Sequence, residues 1–231
     1  MTRLEIGIIG AGSMGGILAG RLAKLGHRVL IANSRGPESL TVQAAEVGAT
    51  PASVAAAAKA PDLVILAIPT KAVAQLPRGV FEKGARPVVI DLGNYHPELR
   101  DGRIHAIDQG LPDSRWVAQQ LGVPVVKAFN HIFARSLREK GVPRGGKGRI
   151  ALAACGDVPG AKSITLSLID ALGFDPVDGG GLDDSWRQQP GMPAYCRDLD
   201  APALQRALAA ADSTRIAACR QEQEARIRMA P

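Results

Sequence analysis

An α/β fold, with helices on both faces of a doubly wound, mostly parallel sheet and a helical extension at the C-terminal end, is predicted by three observations. Short apolar runs alternate with helix-like stretches from the start of the chain. A glycine triplet, Gly10, Gly12 and Gly15, falls where the first run gives way to the first helix. After Gly179-Gly180-Gly181 no further strand is evident. The 231 residues therefore divide into a nucleotide-binding type of domain over 1–180 and a helical segment over 181–231.

The elements follow in order. Leu4 to Ile9 reads as a buried strand. Beyond the glycines, Ile17, Leu18, Leu22 and Leu25 recur at helical spacing, and Gly26 ends that helix as a left-handed C-terminal residue. Val29 to Ala32 is the second strand and Asn33 to Pro37 the turn after it. Pro37 suits the first turn of a helix running toward Val47, which Gly48 stops. Ala52 to Ala60 is a short alanine-rich helix, Leu63 to Ile68 a strand stopped by Pro69, and Thr70 to Leu76 another helix. The strand Pro87 to Asp91 leads into a long loop, where Asn94-Tyr95-His96-Pro97 and Asp101-Gly102 are turn signals. Ser114 to Leu121 reads as helix and Val123 to Ala128 as strand. Ile150 to Ala154, a helix from Val158 to Leu172, and Phe174 to Val177 extend the same alternation. In the tail, Asp200 as N-cap and Pro202 in the first turn open one long helix that runs into residues 220–228.

Composition removes several classes of function. The net charge of +6 invites nucleic acid, but aromatics are only 3%, too few for a base-stacking surface, and the basic residues are spread along the chain. The one basic cluster, Arg144 to Arg149, is a glycine-rich loop without the spacing or hydroxyl of a P-loop. No apolar run approaches the roughly 20 residues that span a bilayer. Glu5 and the early glycines interrupt what a signal peptide would need. Cys155, Cys196 and Cys219 form no CxxC pair, and His27, His96 and His105 have no ligand spacing, so neither a disulfide framework nor a metal site is expected. The expectation is a reduced, cytoplasmic chain without nucleic-acid or membrane partners.

The glycines carry the functional signal. In a Rossmann-type unit Gly10 permits the tight turn, Gly12 lets the backbone approach a pyrophosphate, and Gly15 allows close packing of helix on strand. The free N–H groups at the new helix's start then receive the phosphates. About 20 residues further on, NAD-selective sites carry Asp or Glu for the ribose 2′-hydroxyl. This chain has Asn33, Ser34 and Arg35 instead. An amide, a hydroxyl and a guanidinium suit a 2′-phosphate that a carboxylate would repel, which favours NADP(H). Ligands enter such sheets at the carboxyl ends of the strands, where Asn94, Asn130 and His131 lie.

GIIGAGSMG, the NSRGP turn, LAIP at residues 66–69, DLGN at 91–94 and VVKAFN at 125–130 occur in that order. As a set they resemble the NADP-dependent oxidoreductases related to F-420:NADP oxidoreductase, which exchange hydride between NADP(H) and the deazaflavin coenzyme F-420. The oxidoreductase domain of the STEAP metalloreductases is a similar relative. The resemblance covers about residues 4–182. It implies that Ala11, Gly12, Ser13 and Met14 line the pyrophosphate, and that Asn33, Ser34 and Arg35 hold the 2′-phosphate. It also implies that Ile68, Pro69 and Thr70 border the path to the nicotinamide, with Asn94 and the loop from Asn130 to Ala134 near that ring.

Asn130 and His131 are the candidate catalytic residues, against the plainer readings of helix capping for Asn130 and packing for His131. A ketone or imine acceptor would need a proton donor, for which His131, Lys127 and Tyr195 are the candidates; Lys127 reads equally as an outward-pointing strand residue. The leading expectation is hydride exchange with F-420 or another soluble small-molecule acceptor. Reduction of a small imine, ketone, quinone or ferric chelate is the alternative, and a non-catalytic NADP-binding redox sensor a third. Leu199, Leu204, Leu208 and Ile216 are apolar tail positions that a single sheet need not bury, which predicts a homodimer.

Overall fold

The computed structural model describes residues 2–77, 79–81 and 87–229. Strand β1 (Glu5–Ile9) is followed by α1 (Ser13–Lys24), β2 (Arg28–Ala32), α2 (Thr41–Val47), β3 (Thr50–Pro51) and α3 (Val54–Ala58). Then come β4 (Leu63–Leu66), α4 (Thr70–Val73), β5 (Val88–Asp91), α5 (His105–Asp108), α6 (Asp113–Leu121) and β6 (Val126–Lys127). The six strands make one parallel sheet in the order β3-β2-β1-β4-β5-β6, the doubly wound pattern that reverses direction at β1 and β4. In register, Ile8 lies between Ile31 and Ile65, and Ile65 beside Ile90. Helices cover both faces, so these strands are apolar at nearly every position rather than at alternate ones.

Two apolar layers form the core. One joins Ile6, Ile8 and Ile31 to Leu18 and Leu22 of α1; the other joins Ile9, Val64 and Leu66 to Trp116 and Val117 of α6. The alanine-rich helix is shorter than its composition suggests, because the Ser53 hydroxyl caps it by accepting from the Ala56 N–H at 3.1 Å. The two-residue edge strand β3 gives no sequence pattern and was not expected.

After α7 (Ala134–Glu139) the chain departs from the expected continuation. β7 (Ala151–Ala154), α8 (Pro159–Ala171) and β8 (Asp175–Asp178) form a separate, two-stranded parallel ladder. It runs opposite to the main sheet, which it meets at an antiparallel bridge between Lys127 and Cys155. Between β6 and β7 the chain passes through the Asn130 loop, the six-residue α7 and the glycine-rich 144–149 loop, and Ala151 N–H donates to the Leu199 carbonyl at 2.8 Å.

The tail also corrects an expectation. Its helical stretch is two helices, α9 (Ala201–Ala209) and α10 (Ile216–Met229). Asp212 breaks it by accepting from the Thr214 N–H at 2.9 Å and opening a separate turn. Asp200 does cap α9, accepting from Ala203 N–H at 2.8 Å. Leu204 and Leu208 are buried inside the chain against Ala151, Ala153 and Val177, so they no longer argue for a second copy. Helix α10 docks by polar contacts: Arg220 lies 4.8 Å over the Tyr95 ring and 3.4 Å from Asp113, and Glu224 accepts from the Glu98 N–H at 3.2 Å. At the base of the first layer, the Arg21 guanidinium of α1 donates to the Leu137 and Leu172 carbonyls and covers the Phe174 ring.

Candidate active site

The carboxyl ends of β1, β2 and β4 are pinned together. Gly10 donates to the Ala32 carbonyl and Ala67 to the Ile9 carbonyl, each at 2.8 Å. Gly10 has φ 114°, and a Cβ there would stand 2.2 Å from the Ala67 carbonyl oxygen. A Cβ on Gly15 would stand 1.9 Å from the Gly10 carbonyl oxygen. Both positions therefore admit only glycine. Gly12 differs, since a Cβ there would meet nothing within 4 Å, and its neighbour Ser13 is exposed. Gly12 also stands at the N-terminus of α1 without a side-chain cap, so the first N–H groups of that helix face open space. Ala11 and Met14, partly buried, flank it. A closed turn with one open face, over unused donors, fits a pyrophosphate.

After β2 the Asn33 side chain is committed to its own turn. Its Oδ1 accepts from the Arg35 N–H at 2.9 Å and its Nδ2 donates to Ser39 Oγ at 2.9 Å. Ser34 and Arg35 are exposed, and among the described residues Arg35 forms no ion pair. Asn33 thus shapes the turn, leaving a hydroxyl and a guanidinium to meet a phosphate.

At the other end of the site the loops after β5 and β6 are bonded to each other. Asn94 Nδ2 donates to the Asn130 carbonyl at 3.0 Å, and Asn130 Nδ2 returns a bond to Asn94 Oδ1 at 3.0 Å. Asn130 Nδ2 also reaches the Gln188 carbonyl at 2.7 Å, and Arg100 Nη2 donates to the Asn94 carbonyl at 2.5 Å. Asn130 therefore ties loops together and caps nothing; the residue at the start of α7 is Phe133. Ile68 and Pro69 remain partly exposed on the β4 loop, Thr70 is buried, and Ala134 opens α7 half-buried.

Beneath Asn94 lies a buried ion pair. Lys127 is fully buried, 3.2 Å from Asp91, and also donates to the Gly93 carbonyl. Asp91 further accepts from Ser114 Oγ at 2.6 Å and from the Gly93 N–H at 2.8 Å. Lys127 therefore points inward, contrary to its outward reading, because Asp91 on the neighbouring strand offers a carboxylate that compensates its charge. His131 is buried too. Its Nε2 accepts from the Ala153 N–H at 3.0 Å, and burial pushes its pKa down to about 4, so it is a neutral acceptor that anchors β7. Its accepting nitrogen is thus turned to backbone, as the packing reading of this residue has it.

Tyr195, from the tail, completes this end, its hydroxyl 3.4 Å from Asn94 Nδ2. Gln188, Arg100 and the Asp91–Lys127 pair were missed in the sequence. Arg100 and Gln188 lie in short helical turns and the ion pair inside apolar runs, and only their partners give them a role. Among the described residues no cluster of His, Cys, Asp and Glu could hold a metal, and no helix is long and apolar enough to cross a membrane.

With this geometry in place, comparisons become informative. The family described as NADP oxidoreductase, coenzyme F420-dependent, matches residues 5–95, from β1 through Asn94. Protein YjhV of Escherichia coli (strain K12) is 47% identical over 66 residues, which is 29% of this chain and 48% of that protein. The match thus spans about half the length of the curated relative. The hypothetical protein SMa0349 from Sinorhizobium meliloti is 33% identical, with 86% of this chain and 95% of that one covered and a TM-score of 0.73. A structure from Arthrobacter sp. FB24 described as an F420-dependent NADP-reductase is 22% identical, covering 79% and 87% of the two chains at a TM-score of 0.62. An imine reductase from Pseudomonas sp. is 16% identical, covering 90% and 61% at a TM-score of 0.54. The last two likenesses are likenesses of fold.

Proposed function

The chain belongs to the family of coenzyme F420-dependent NADP oxidoreductases, and from that premise we propose that it transfers hydride between NADP(H) and coenzyme F420 or another soluble acceptor. The observation that carries this reading is the asymmetry of the glycine turn. Gly10 and Gly15 are closed by backbone, while Gly12 and the first N–H groups of α1 stay open. Ser34 and Arg35 supply the second anchor, for the 2′-phosphate.

When bound, NADPH supplies the hydride, and the protein's work is orientation and exclusion of water. The α1 N-terminus fixes the diphosphate and Arg35 the ribose phosphate. The Asn94–Asn130 amide pair, locked by two reciprocal bonds, forms a polar rim at the ends of β5 and β6. The buried Asp91–Lys127 pair holds Gly93, and with it Asn94, at a fixed height above the sheet.

The test is NADPH oxidation screened against F420, flavins, quinones, ferric chelates and cyclic imines, with NADPH binding measured in parallel. Turnover of F420 or of one other acceptor class is the expected result. NADPH bound with no acceptor reduced would instead make the protein an NADP-binding sensor.

A further inference from the structure

Of the three side chains that the sequence offers as proton donors, two are closed off. Lys127 is paired with Asp91 inside the protein, and the His131 ring is buried with Nε2 turned to Ala153. Tyr195 is the one that remains partly exposed. Its hydroxyl meets Asn94 Nδ2, which in turn bonds to the loop after β6.

Backbone strain marks the same place. Among the described residues only two non-glycine residues have positive φ, Phe129 at 61° and Cys196 at 48°. Phe129 directly precedes Asn130, and Cys196 directly follows Tyr195. The two loops are joined by the Cys196 N–H donating to the His131 carbonyl at 2.9 Å. Left-handed backbone in a non-glycine residue is strained and persists where surrounding structure enforces it, often at functional sites. Both strained residues adjoin a side chain that meets Asn94: Asn130 at 3.0 Å and Tyr195 at 3.4 Å.

We infer that Tyr195 is the proton-donating residue of the acceptor site, and that the acceptor carries a C=N or C=O bond. This rests on the NADP(H) reading above. The acceptor carbon gains the hydride, its heteroatom gains the Tyr195 hydroxyl proton, NADPH leaves as NADP⁺, and the phenolate is reprotonated by water. The phenol, whose ordinary pKa near 10 is raised further by burial, carries its proton at neutral pH, and the nearby Arg100 charge favours the phenolate as it forms. A deazaflavin spreads incoming charge over its own ring and needs such a donor least.

The chain has two tyrosines, so tyrosine labelled with ¹³C at Cζ gives two resonances, which Tyr195→Phe assigns. NADP⁺ should shift the Tyr195 resonance and leave Tyr95 alone. The 2′-phosphorylated ADP-ribose fragment, which lacks nicotinamide, should bind without that shift. In NADPH oxidation with 2-methyl-1-pyrroline and cyclohexanone, Tyr195→Phe should lower kcat by about 10²- to 10⁴-fold with the NADPH Kd unchanged. A Tyr195 resonance unmoved by bound NADP⁺ would overturn the placement. Full kcat in Tyr195→Phe, or a wild type that reduces F420 and no C=N or C=O compound, would overturn the role and the acceptor class. Failure of NADP⁺ to bind at all is read separately by calorimetry; it would overturn the cofactor reading and this inference with it.

Discussion

Replacing His131 by Gln should make the protein less sensitive to acid. The His131 pKa falls from 6.5 to about 4 because the ring is buried. In the unfolded chain the ring takes up a proton near pH 6.5, whereas the folded state resists it until about pH 4. The stability contributed by the neutral ring is therefore complete above pH 6.5 and is lost as pH falls toward 4. Linkage across that shift gives a loss of about 2 kcal/mol at pH 5 and about 3 kcal/mol at pH 4. Glutamine can still accept the Ala153 N–H through Oε1, and it does not titrate. Urea unfolding at pH 7.5, 6 and 5 is the assay. With an m-value of about 2 kcal/mol/M, the wild-type midpoint should fall about 1 M further than that of His131→Gln between pH 7.5 and 5. His96, also held near pKa 4 by burial and Arg100, and the carboxylates titrate in both proteins, so they cancel in the difference. Parallel pH profiles for the two proteins would refute the argument that His131 is a buried neutral acceptor.

The remaining predictions concern the cofactor end and the ion pair. Arg35→Ala should weaken NADPH by about tenfold, the low end of a charge-assisted contact because the turn is exposed, and leave NADH unchanged; equal losses in a fluorescence titration would contradict a 2′-phosphate contact. Gly12→Ala should keep its melting temperature but weaken both nucleotides, since the added methyl group enters open space in front of the α1 N-terminus. Gly15→Ala should instead lose about 1–3 kcal/mol of stability, because its methyl group meets the Gly10 carbonyl; the same phenotype for both variants would argue against the open face. Lys127→Met should cost about 3–5 kcal/mol in urea unfolding by stranding Asp91, and adding Asp91→Asn should restore part of it. A double variant no more stable than the single one would mean that the pair is not coupled.

The Rossmann half was legible because its signals are local. Fully covered parallel strands read as unbroken apolar runs such as Leu63 to Leu66, and the glycine spacing names both a turn and the helix after it. What stayed hidden depends on partners far apart in the chain. Alternation after β6 announced β7 and β8 but carried no information on their direction, which shows only in the antiparallel bridge between Lys127 and Cys155. Leu204 and Leu208 were placed on one helix face, yet whether that face met β7 or another chain was not in the pattern. In the site, Asn94 and Asn130 were found by position at strand ends. Packing was among the readings of His131, but the inward turn of Lys127 was not found, since a lone polar residue in an apolar run looks alike whether it faces water or a buried carboxylate.

One side chain in the base of the molecule bears on how a two-ended cofactor is held. Arg21 grows from α1, the helix whose first turn is proposed to face the diphosphate, and closes the carbonyls of Leu137 in α7 and Leu172 after α8. Helix α7 begins just beyond the Asn130 loop, and α8 leads into β8. A cation at helix C-termini satisfies acceptors that would otherwise be unmet, so this grip is set when the chain folds. On the proposed reading, the two ends of the cofactor site are thereby held like the jaws of a locked caliper. The entropy of bringing those ends into register is spent in folding, and a long, flexible dinucleotide need bring only its own ordering to the encounter.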